Sequence, residues 1–314
     1  MSYRTPILLL LYNRPETTEQ VFAAIREVRP ARLFVAADGP STKRPDDLER
    51  CLKTRGVVAR VDWDCEVRTL FREENLGCRK AISSAIHWFF EQAEAGIILE
   101  DDCLPSSSFF RYCDELLDMY RDCDEVMAVS GDNFQDGRCV TSDSYYFSRY
   151  PHCWGWATWR RAWSKYDTDL KGWAEYQQSP SFDEIGATNP SFRGYWTRIF
   201  EKVKAGEIDS WAYVWTLSCW LNGGLTAIPR RNLVKNIGFG PDATHTKGAS
   251  TRLSVMRAEE IEFPLKHPTQ ISRHASADSY ADIHHFGIKL GGEETGEGAL
   301  LRRYLGALAR IFGR

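Results

Sequence analysis

Short apolar runs and longer amphipathic stretches alternate through the first hundred residues of the chain. The run at 7–11 is continuously apolar, which is typical of a strand buried on both faces of a parallel sheet. The stretch at 79–92 places its apolar residues at helical spacing. The alternation predicts a βαβαβαβ arrangement, whose right-handed crossovers give a parallel sheet with helices on both faces. The predicted strands are 7–11, 33–37, 67–71 and 96–99. The first predicted helix is capped by Thr17 or Thr18 and continues to Val28. Two further helices are predicted at 45–53 and 79–92.

The pattern changes after about residue 106. A predicted helix at 109–120 and a predicted strand at 126–130 lead into an aromatic-rich stretch. Because no linker composition separates this part from the first, we expect one fused domain with two halves. The expected domain is 1–290, its halves are about 1–105 and 106–290, and a flexible, acidic, Gly-rich linker follows at 291–298.

The last segment, 299–314, has the pattern of a basic amphipathic helix. Its apolar residues share one helical face, and Arg302, Arg303 and Arg310 lie on the other. Such a helix either lies on an anionic membrane surface, here the inner face, or docks on this protein or on a second subunit of a homo-oligomer. The sequence leaves both alternatives open.

Composition narrows the class of function. The 314 residues carry a formal net charge of −3, whereas nucleic-acid-binding domains usually show a clear cationic excess, so no nucleic-acid partner is expected. The nine cysteines form no C-x-x-C pair, which argues against a zinc ribbon or a redox dithiol. No secretory leader is apparent, so we expect reduced thiols and a cytoplasmic location. The eleven tryptophans fit either a Trp-rich core or a carbohydrate-binding cleft.

Polar residues follow each of the four predicted strands at its carboxyl end. Asn13 and Arg14 follow the first strand, Asp38 the second, Asn75 the third, and the acidic triplet 100–102 the fourth. Open parallel sheets bind ligands beyond the carboxyl ends of their strands. The four strand ends together therefore indicate a ligand site at this edge of the sheet.

Three consecutive acids at the end of a buried strand require compensation, because like charges repel and burial penalises each carboxylate. A hard cation such as Mn²⁺ or Mg²⁺ removes both problems, since it accepts carboxylate oxygens and keeps positions open for diphosphate oxygens. Neighbouring side chains on a strand point to opposite sides, so we expect the three acids to contact different parts of the ligand. We expect Asp102 to contact the metal, and Glu100 or Asp101 to contact the ribose or a bridging water. A solvated turn is the alternative interpretation.

Seven segments stand out along the chain: YNRP at 12–15, ADGP at 37–40, NLG at 75–77, EDD at 100–102, PHCWGWA at 151–157, DSWAYVW at 209–215, and 228–240. Together they resemble glycosyltransferases of the GT-A fold, in particular the N-acetylglucosaminyltransferase I type, whose members carry an E-D-D version of the D-x-D motif. The resemblance covers roughly residues 5–247, and only the acidic segment with its strand is specific. It implies an α/β, Rossmann-like, mostly parallel sheet flanked by helices and fused to an acceptor-side half.

The resemblance also implies roles for individual residues. Asn13 and Arg14 would meet the nucleotide, and Asp38 would accept the uracil N–H of a UDP-sugar. Arg79, at a helix start, would stabilise phosphate oxygens together with the helix amides, although a basic residue there is also typical of a solvated helix end. His245, in a late polar loop, would be a further metal or diphosphate ligand.

An inverting transfer needs a general base aimed at the acceptor hydroxyl, opposite the leaving diphosphate. Asp209 is the candidate, in a segment that resembles the family's Trp/Asp-rich region, with Trp211 and Trp215 as an apolar shield. The family's paired acids are reduced to one here, which leaves this assignment open. Asp209 is alternatively the N-cap of a predicted helix at 210–222. The weaker candidates for the base are Asp132, Asp143 and Glu175.

These features predict a metal-dependent, inverting glycosyltransferase that moves a hexosyl or N-acetylhexosaminyl group from a nucleotide-sugar, with a UDP-sugar favoured, to a hydroxyl group. The acceptor is a sugar, a lipid-linked molecule or a protein. A nucleotidyltransferase is disfavoured, because the first strand is followed by Tyr-Asn-Arg-Pro where such enzymes have a Gly-rich phosphate loop. A non-catalytic nucleotide-sugar or carbohydrate-binding protein of the same fold is the alternative.

Overall fold

A computed structural model describes residues 3–186, 189–239 and 253–289 of the chain. Strands and helices alternate regularly in the first part, as the apolar pattern predicts. This part contains β1 (Ile7–Leu11), α1 (Pro15–Val28), β2 (Arg32–Ala37), α2 (Asp47–Val58), β3 (Glu66–Phe71), α3 (Cys78–Phe90), β4 (Ala95–Glu100), β5 (Cys103–Pro105) and α4 (Ser107–Met119). The second part contains β6 (Val126–Ser130), β7 (Tyr145–Ser148), β8 (Trp156–Trp159), α5 (Arg160–Trp163), α6 (Trp173–Tyr176), α7 (Pro180–Ile185), α8 (Pro190–Lys204), α9 (Trp211–Leu221), β9 (Leu225–Pro229), β10 (Val234–Asn236) and α10 (Ala275–His284).

One eight-stranded sheet spans both halves of the chain, in the order β3-β2-β1-β4-β8-β6-β9-β7. The first four strands are parallel neighbours and β6 is parallel to β9, whereas β8 and β7 run antiparallel to their partners. Strands β5 and β10 form a separate two-stranded ribbon. The predicted fold class, an α/β protein with a mostly parallel, Rossmann-like sheet flanked by helices, is confirmed.

Successive residues of the central strands face two separate cores. Leu10 and Ile98 lie in a core with residues of α3 and α9, whereas Leu9 and Leu99 lie in a core with residues of α1 and α4. This division follows from the alternation of side chains along a strand. The side chain of Glu100, two residues after Ile98, therefore leaves the strand on the side of the sheet that faces α3 and α9.

The tryptophans of the aromatic stretch fill the core. Trp156 stacks on Trp211 with ring centroids 5.6 Å apart, and the Trp159 indole N–H donates to the carbonyl of Leu117 over 3.1 Å. Trp154, Trp156 and Trp159 are all buried. Of the two interpretations of the tryptophan content, the structure supports the core for these three residues, and their faces are covered.

The predicted cap of the first helix is wrong. The helix starts at Pro15, because proline suits a first turn in which its missing N–H is not needed. Thr17 and Thr18 lie inside this turn, and their hydroxyls donate to the carbonyl of Arg14 over 3.2 and 2.7 Å.

A buried ion-pair cluster fastens α10 to the end of β7. The Arg149 side chain is 1% exposed and pairs with Asp282 over 2.5 Å. Asp278, also buried, accepts from Ser148 over 2.5 Å and from Arg273 over 2.6 Å. These contacts join the late segment of the chain to the sheet.

Within the part of the chain that the structure describes, no helix combines the length and the apolar character needed to cross a bilayer. All nine cysteines are free thiols. The predicted linker 291–298 and the predicted helix 299–314 lie outside the described residues.

Candidate functional site

The acidic triplet and Arg14 lie together at the carboxyl end of the two central strands. Strands β1 and β4 are parallel neighbours with Leu10 opposite Glu100, so the loops that follow them leave the sheet side by side. The backbone N–H of Tyr12 donates to Asp101 Oδ2 over 3.1 Å. Sheet geometry thus brings together residues that are almost ninety positions apart in the sequence.

Arg14 pairs with two of the three acids. Its Nη1 donates to Asp102 Oδ2, and its Nε lies 3.7 Å from Asp101 Oδ1. Both acidic side chains are buried, whereas the Arg14 side chain is 29% exposed. Burial raises the pKa of Asp101 to about 6, against the opposing effect of the Arg14 charge.

Glu100, unlike its two neighbours, forms no ion pair with any described residue. Its Oε1 atom is buried and finds no hydrogen-bond partner among the described residues. Burial raises the pKa of Glu100 well above its ordinary value, and the charges of Asp102 and Asp101 raise it further. The negative charge of the triplet is therefore only partly compensated by positive charge and hydrogen-bond donors.

A loop from the second half of the chain covers the triplet, a contact that the local sequence pattern did not predict. After β10, the backbone N–H of Ile237 donates to the carbonyl of Asp102 over 2.8 Å. Gly238 follows, held by a hydrogen bond of 2.8 Å from its N–H to Asn236 Oδ1. A methyl group at position 238 would lie 2.9 Å from Arg14 Nη1 and would also collide with Asp102 Oδ2. Only a glycine leaves this space free.

The donor set of the triplet fits a hard divalent cation, because it consists of carboxylate oxygens and includes the partnerless Oε1 of Glu100. Within the described ranges, no three Asp, Glu, His or Cys side chains already converge as a metal site. Mg²⁺ and similar cations are often held by one or two carboxylates with substrate phosphates completing the shell. The expectation that Asp102 would hold the cation stays a prediction, and His245, the other expected ligand, lies outside the described residues.

Asp38 and Asn75 meet at the ends of β2 and β3. Asn75 Nδ2 donates to Asp38 Oδ2 over 3.0 Å, and the backbone N–H groups of Leu76 and Gly39 donate to Asp38 Oδ1 over 3.0 and 2.9 Å. Burial raises the pKa of Asp38, and these backbone hydrogen bonds oppose the shift. Asp38 therefore orders the two loops, and its predicted contact with a uracil stays a prediction.

Asn13 is buried and its amide donates to Asp47, a residue that the sequence analysis did not single out. Asp47 also accepts from the hydroxyl of Tyr12 over 2.7 Å and from the backbone N–H of Ser41 over 2.5 Å. It thereby joins the loops after β1 and β2 to the start of α2. Its position at a helix start was visible in the sequence, but its partners were not.

The Arg79 side chain is held by backbone carbonyls of the second half of the chain. Its Nη1 donates to the carbonyl of Val203 over 3.1 Å, and its Nη2 donates to the carbonyl of Thr168. These contacts connect α3 to the second half of the chain. The predicted role of Arg79 toward phosphate stays a prediction, and it would require these two contacts to open.

Asp209 lies at the start of α3, where the backbone N–H of Cys78 donates to its Oδ2 over 2.9 Å. The helix that follows Asp209 is α9, whose N-cap is Ser210. Burial raises the pKa of the Cys78 thiol, and the charges of Glu100 and Asp209 raise it further, so both acids lie near this thiol. The predicted base thus lies on the same side of the sheet as Glu100.

Asp132 is buried and His152 is half-buried next to the loop that leads into β8. The backbone N–H of Trp154 donates to Asp132 Oδ2 over 3.2 Å, and the hydroxyl of Ser130 donates to its Oδ1. Burial raises the pKa of Asp132 to about 7 and lowers that of His152 to about 3. The His152 imidazole is therefore neutral at pH 7 and acts as an aromatic packing element against Phe134, with ring centroids 4.6 Å apart.

No protein-family model matches this chain, and no curated protein matches it either. Solved structures similar to it include HddC from Yersinia pseudotuberculosis, at 10% identity and a TM-score of 0.29, over 50% of this chain and 77% of that one. A 4-diphosphocytidyl-2C-methyl-D-erythritol synthase from Anaerococcus prevotii matches at 10% identity and a TM-score of 0.32, over 57% of this chain and 79% of that one. A UTP-bound UGPase from Acinetobacter baumannii matches at 9% identity and a TM-score of 0.35, over 73% of this chain and 86% of that one.

None of these structures is of the N-acetylglucosaminyltransferase I type, so that resemblance stays a prediction. Identities and TM-scores this low assign no function to the chain. Any proposal of function therefore depends on the residues of the chain itself.

Proposed function

We propose that the chain is a metal-dependent glycosyltransferase that moves a hexosyl or N-acetylhexosaminyl group from a nucleotide-sugar, with a UDP-sugar favoured, to a hydroxyl group with inversion. One observation carries the proposal. Three acids, Glu100, Asp101 and Asp102, lie at the carboxyl end of a central parallel strand and are partly compensated by Arg14. Ligands of open α/β sheets bind at this edge.

In this proposal Asp102 would hold Mn²⁺ or Mg²⁺ together with the diphosphate of the donor. When bound, the cation stabilises the negative charge that builds on the leaving nucleotide diphosphate. Glu100 and Asp101 bind the ribose or a bridging water, and Arg14 binds the diphosphate. Asn13 and Asp38 shape the nucleoside side of the site, where both are already ordered by hydrogen bonds.

Asp209 is the proposed base. The acceptor oxygen forms a bond to the anomeric carbon of the sugar, its proton passes to the Asp209 carboxylate, and the bond from that carbon to the diphosphate oxygen breaks with its electron pair. Two observations support this assignment: Asp209 and Glu100 both lie near the Cys78 thiol, and hydrogen bonds fix the orientation of the carboxylate. A positioned base contributes on the order of 10²–10⁴ to the rate.

The first test is a thermal-shift screen of UDP-, GDP-, dTDP- and CMP-sugars with and without Mn²⁺. We expect one donor class, the UDP-sugars, to raise the melting temperature only when Mn²⁺ is present. Asp102→Asn should abolish this increase. The matched control is Asp118→Asn, which changes an acid whose side chain is 75% exposed and which pairs only at the surface with Arg121.

Turnover then separates the alternatives. Release of UDP with an inverted product, followed by NMR, supports the proposal. Binding of a nucleotide-sugar without turnover for any acceptor favours a non-catalytic binding protein. Pyrophosphate release from UTP and a sugar phosphate indicates nucleotidyl transfer and contradicts glycosyl transfer.

A further inference from the structure

We propose that the Arg14 guanidinium occupies the place of the divalent cation in the ligand-free protein, so that the metal binds tightly only after a nucleotide diphosphate has drawn Arg14 away. The inference rests on the proposed function. It adds that the nucleotide diphosphate binds before the metal and that Arg14 sets this order.

The first support is the geometry of the ion pair. Arg14 Nη1 donates to Asp102 Oδ2, the carboxylate assigned to the metal, while Nε lies 3.7 Å from Asp101 Oδ1. A cation that approaches these oxygens meets a positive charge already in place. Two cations that compete for the same carboxylates exclude each other by Coulomb repulsion as well as by volume.

The second support is the lack of room around the pair. Gly238 closes over it so tightly that a single methyl group there would touch both Asp102 Oδ2 and Arg14 Nη1. The Ile237 N–H holds this loop to the carbonyl of Asp102 over 2.8 Å. On the side of Gly238, the approach to Asp102 Oδ2 is therefore closed while the guanidinium stays there.

The third support is that the backbone of Arg14 is anchored while its side chain is partly exposed to solvent. Its backbone carbonyl is anchored at the start of α1, where it accepts from the N–H of Thr18 over 3.0 Å and from the Thr18 hydroxyl over 2.7 Å. The side chain is 29% exposed, in contrast to the buried acids that it contacts. The proposal therefore requires only the side chain of Arg14 to move, with its backbone held at the start of α1.

A nucleotide diphosphate supplies the competing anion. It offers phosphate oxygens that pair with a guanidinium in bidentate fashion, and so removes Arg14 from the acids and frees them for the cation. Binding of nucleotide and metal then becomes cooperative, and by linkage each raises the affinity of the other by the same factor. Arg14 is therefore a binding residue that contacts the acids before the nucleotide diphosphate binds and the diphosphate afterwards.

The test measures Mn²⁺ binding to the full chain by EPR of the free ion, with and without UDP. The UDP series is corrected by a matched titration of Mn²⁺ with UDP alone. Four proteins are compared: wild type, Arg14→Gln, Arg14→Lys and Arg26→Gln. Arg26 is the control because it forms an Arg–Asp pair with Asp62 at the surface, where the side chains are 52% and 53% exposed.

Without UDP, we expect Arg14→Gln to bind Mn²⁺ at least about tenfold more tightly than wild type, because the competing charge is gone. Arg14→Lys keeps the charge and should stay close to wild type, as should Arg26→Gln. UDP should raise the Mn²⁺ affinity of wild type strongly and that of Arg14→Gln by a factor at least about tenfold smaller.

Two results overturn the inference and leave the proposed function intact: Arg14→Gln binds Mn²⁺ alone no more tightly than wild type, or wild type binds Mn²⁺ equally well with and without UDP. The second result needs no variant. It therefore tests the inference even if circular dichroism shows that Arg14→Gln does not fold. If no protein binds Mn²⁺ in the presence of UDP or any nucleotide-sugar, the proposed function and the inference fall together.

Discussion

The Asp209 carboxylate accepts a hydrogen bond of 2.9 Å from the backbone N–H of Cys78, although 131 residues separate the two. Its other oxygen accepts from the N–H of Arg79 over 3.1 Å. A side chain at the start of α9 thus caps the start of α3, and the N-cap of α9 itself is Ser210. This contact fixes the position of the proposed base relative to the acidic triplet.

Replacement of Asp209 separates its structural role from its proposed catalytic role. Asp209→Ala should lower the free energy of unfolding by about 0.5–2 kcal/mol, the usual cost of a lost helix cap. Asp209→Asn keeps an acceptor oxygen and should cost less stability, yet it should lower kcat by about 10²–10⁴ because the amide takes up no proton. Urea unfolding and single-turnover rates measure the two effects.

Asp132→Asn is the matched comparison for the base. Asp132 is another buried carboxylate, whose pKa burial raises to about 7. If Asp209→Asn retains the wild-type rate while Asp132→Asn loses it, the base is Asp132 and the present assignment is wrong.

Gly238→Ala should disrupt the site with little effect elsewhere. The new methyl group would press on Asp102 Oδ2 and Arg14 Nη1, so we expect loss of the Mn²⁺-dependent thermal shift by nucleotide-sugars. Gly194→Ala is the control, because position 194 lies inside α8 and a methyl group there meets nothing within 4 Å. That control should gain roughly 0.5–1 kcal/mol of stability. Equal thermal shifts in wild type and Gly238→Ala would show that this loop is not part of the site.

The stability of the protein should depend on pH through Asp132. Burial raises its pKa to about 7 in the folded state, against about 3.9 in an unfolded chain. The folded state therefore binds the proton more tightly, and the contribution to stability is fully present below about pH 4 and is lost as the pH rises through 7. Each unit of this pKa shift corresponds to roughly 1.4 kcal/mol.

Asp132→Asn removes this dependence, since the amide does not titrate. We expect the free energy of unfolding of Asp132→Asn, relative to wild type, to increase between pH 4 and pH 8. Denaturant unfolding at several pH values measures the difference, in which the contributions of all other groups cancel. A difference that stays constant over this range would contradict a raised pKa at Asp132.

Asp282→Ala should destabilise the protein without touching the proposed chemistry. It removes an acid that holds the buried Arg149 guanidinium over 2.5 Å and leaves this charge with less compensation. The expected loss is about 3–5 kcal/mol at most, since the carboxylate of Asp278 lies 4.0 Å from Arg149 Nε and remains. Thermal unfolding measures the loss, and a change in melting temperature of less than a degree would show that the cluster does not fasten α10 to the sheet.

The first half of the fold follows from local pattern, whereas much of the second half does not. β1 and β6 have the predicted bounds, because a continuous apolar run has a single interpretation inside a parallel sheet. β7, β8 and β9 were not predicted. β7 and β8 run antiparallel to their neighbours, and their bulky aromatic residues are buried on both faces and show no period. β9 is parallel to β6, and its five residues are too few to show a period.

The candidate site shows the same division. Arg14 and the acids could be placed together from the sequence, since the ends of neighbouring parallel strands share an edge. Three other contacts could not be predicted from the sequence, because each joins segments that only the complete fold brings together. They are the contact of Gly238 with the acids, the hydrogen bonds of Asp47, and the capping of α3 by Asp209. A rule for local capping assigned Asp209 to its own helix, and the structure gives its carboxylate to another.

The most direct test of the central claim is calorimetric titration of Mn²⁺ into the protein saturated with the donor found by the thermal-shift screen. We expect one Mn²⁺ site of sub-millimolar affinity in the wild type, with an affinity at least about 100-fold weaker in Asp102→Asn and unchanged in Asp118→Asn. Equal Mn²⁺ affinity in wild type and Asp102→Asn would contradict the claim that this carboxylate holds the cation.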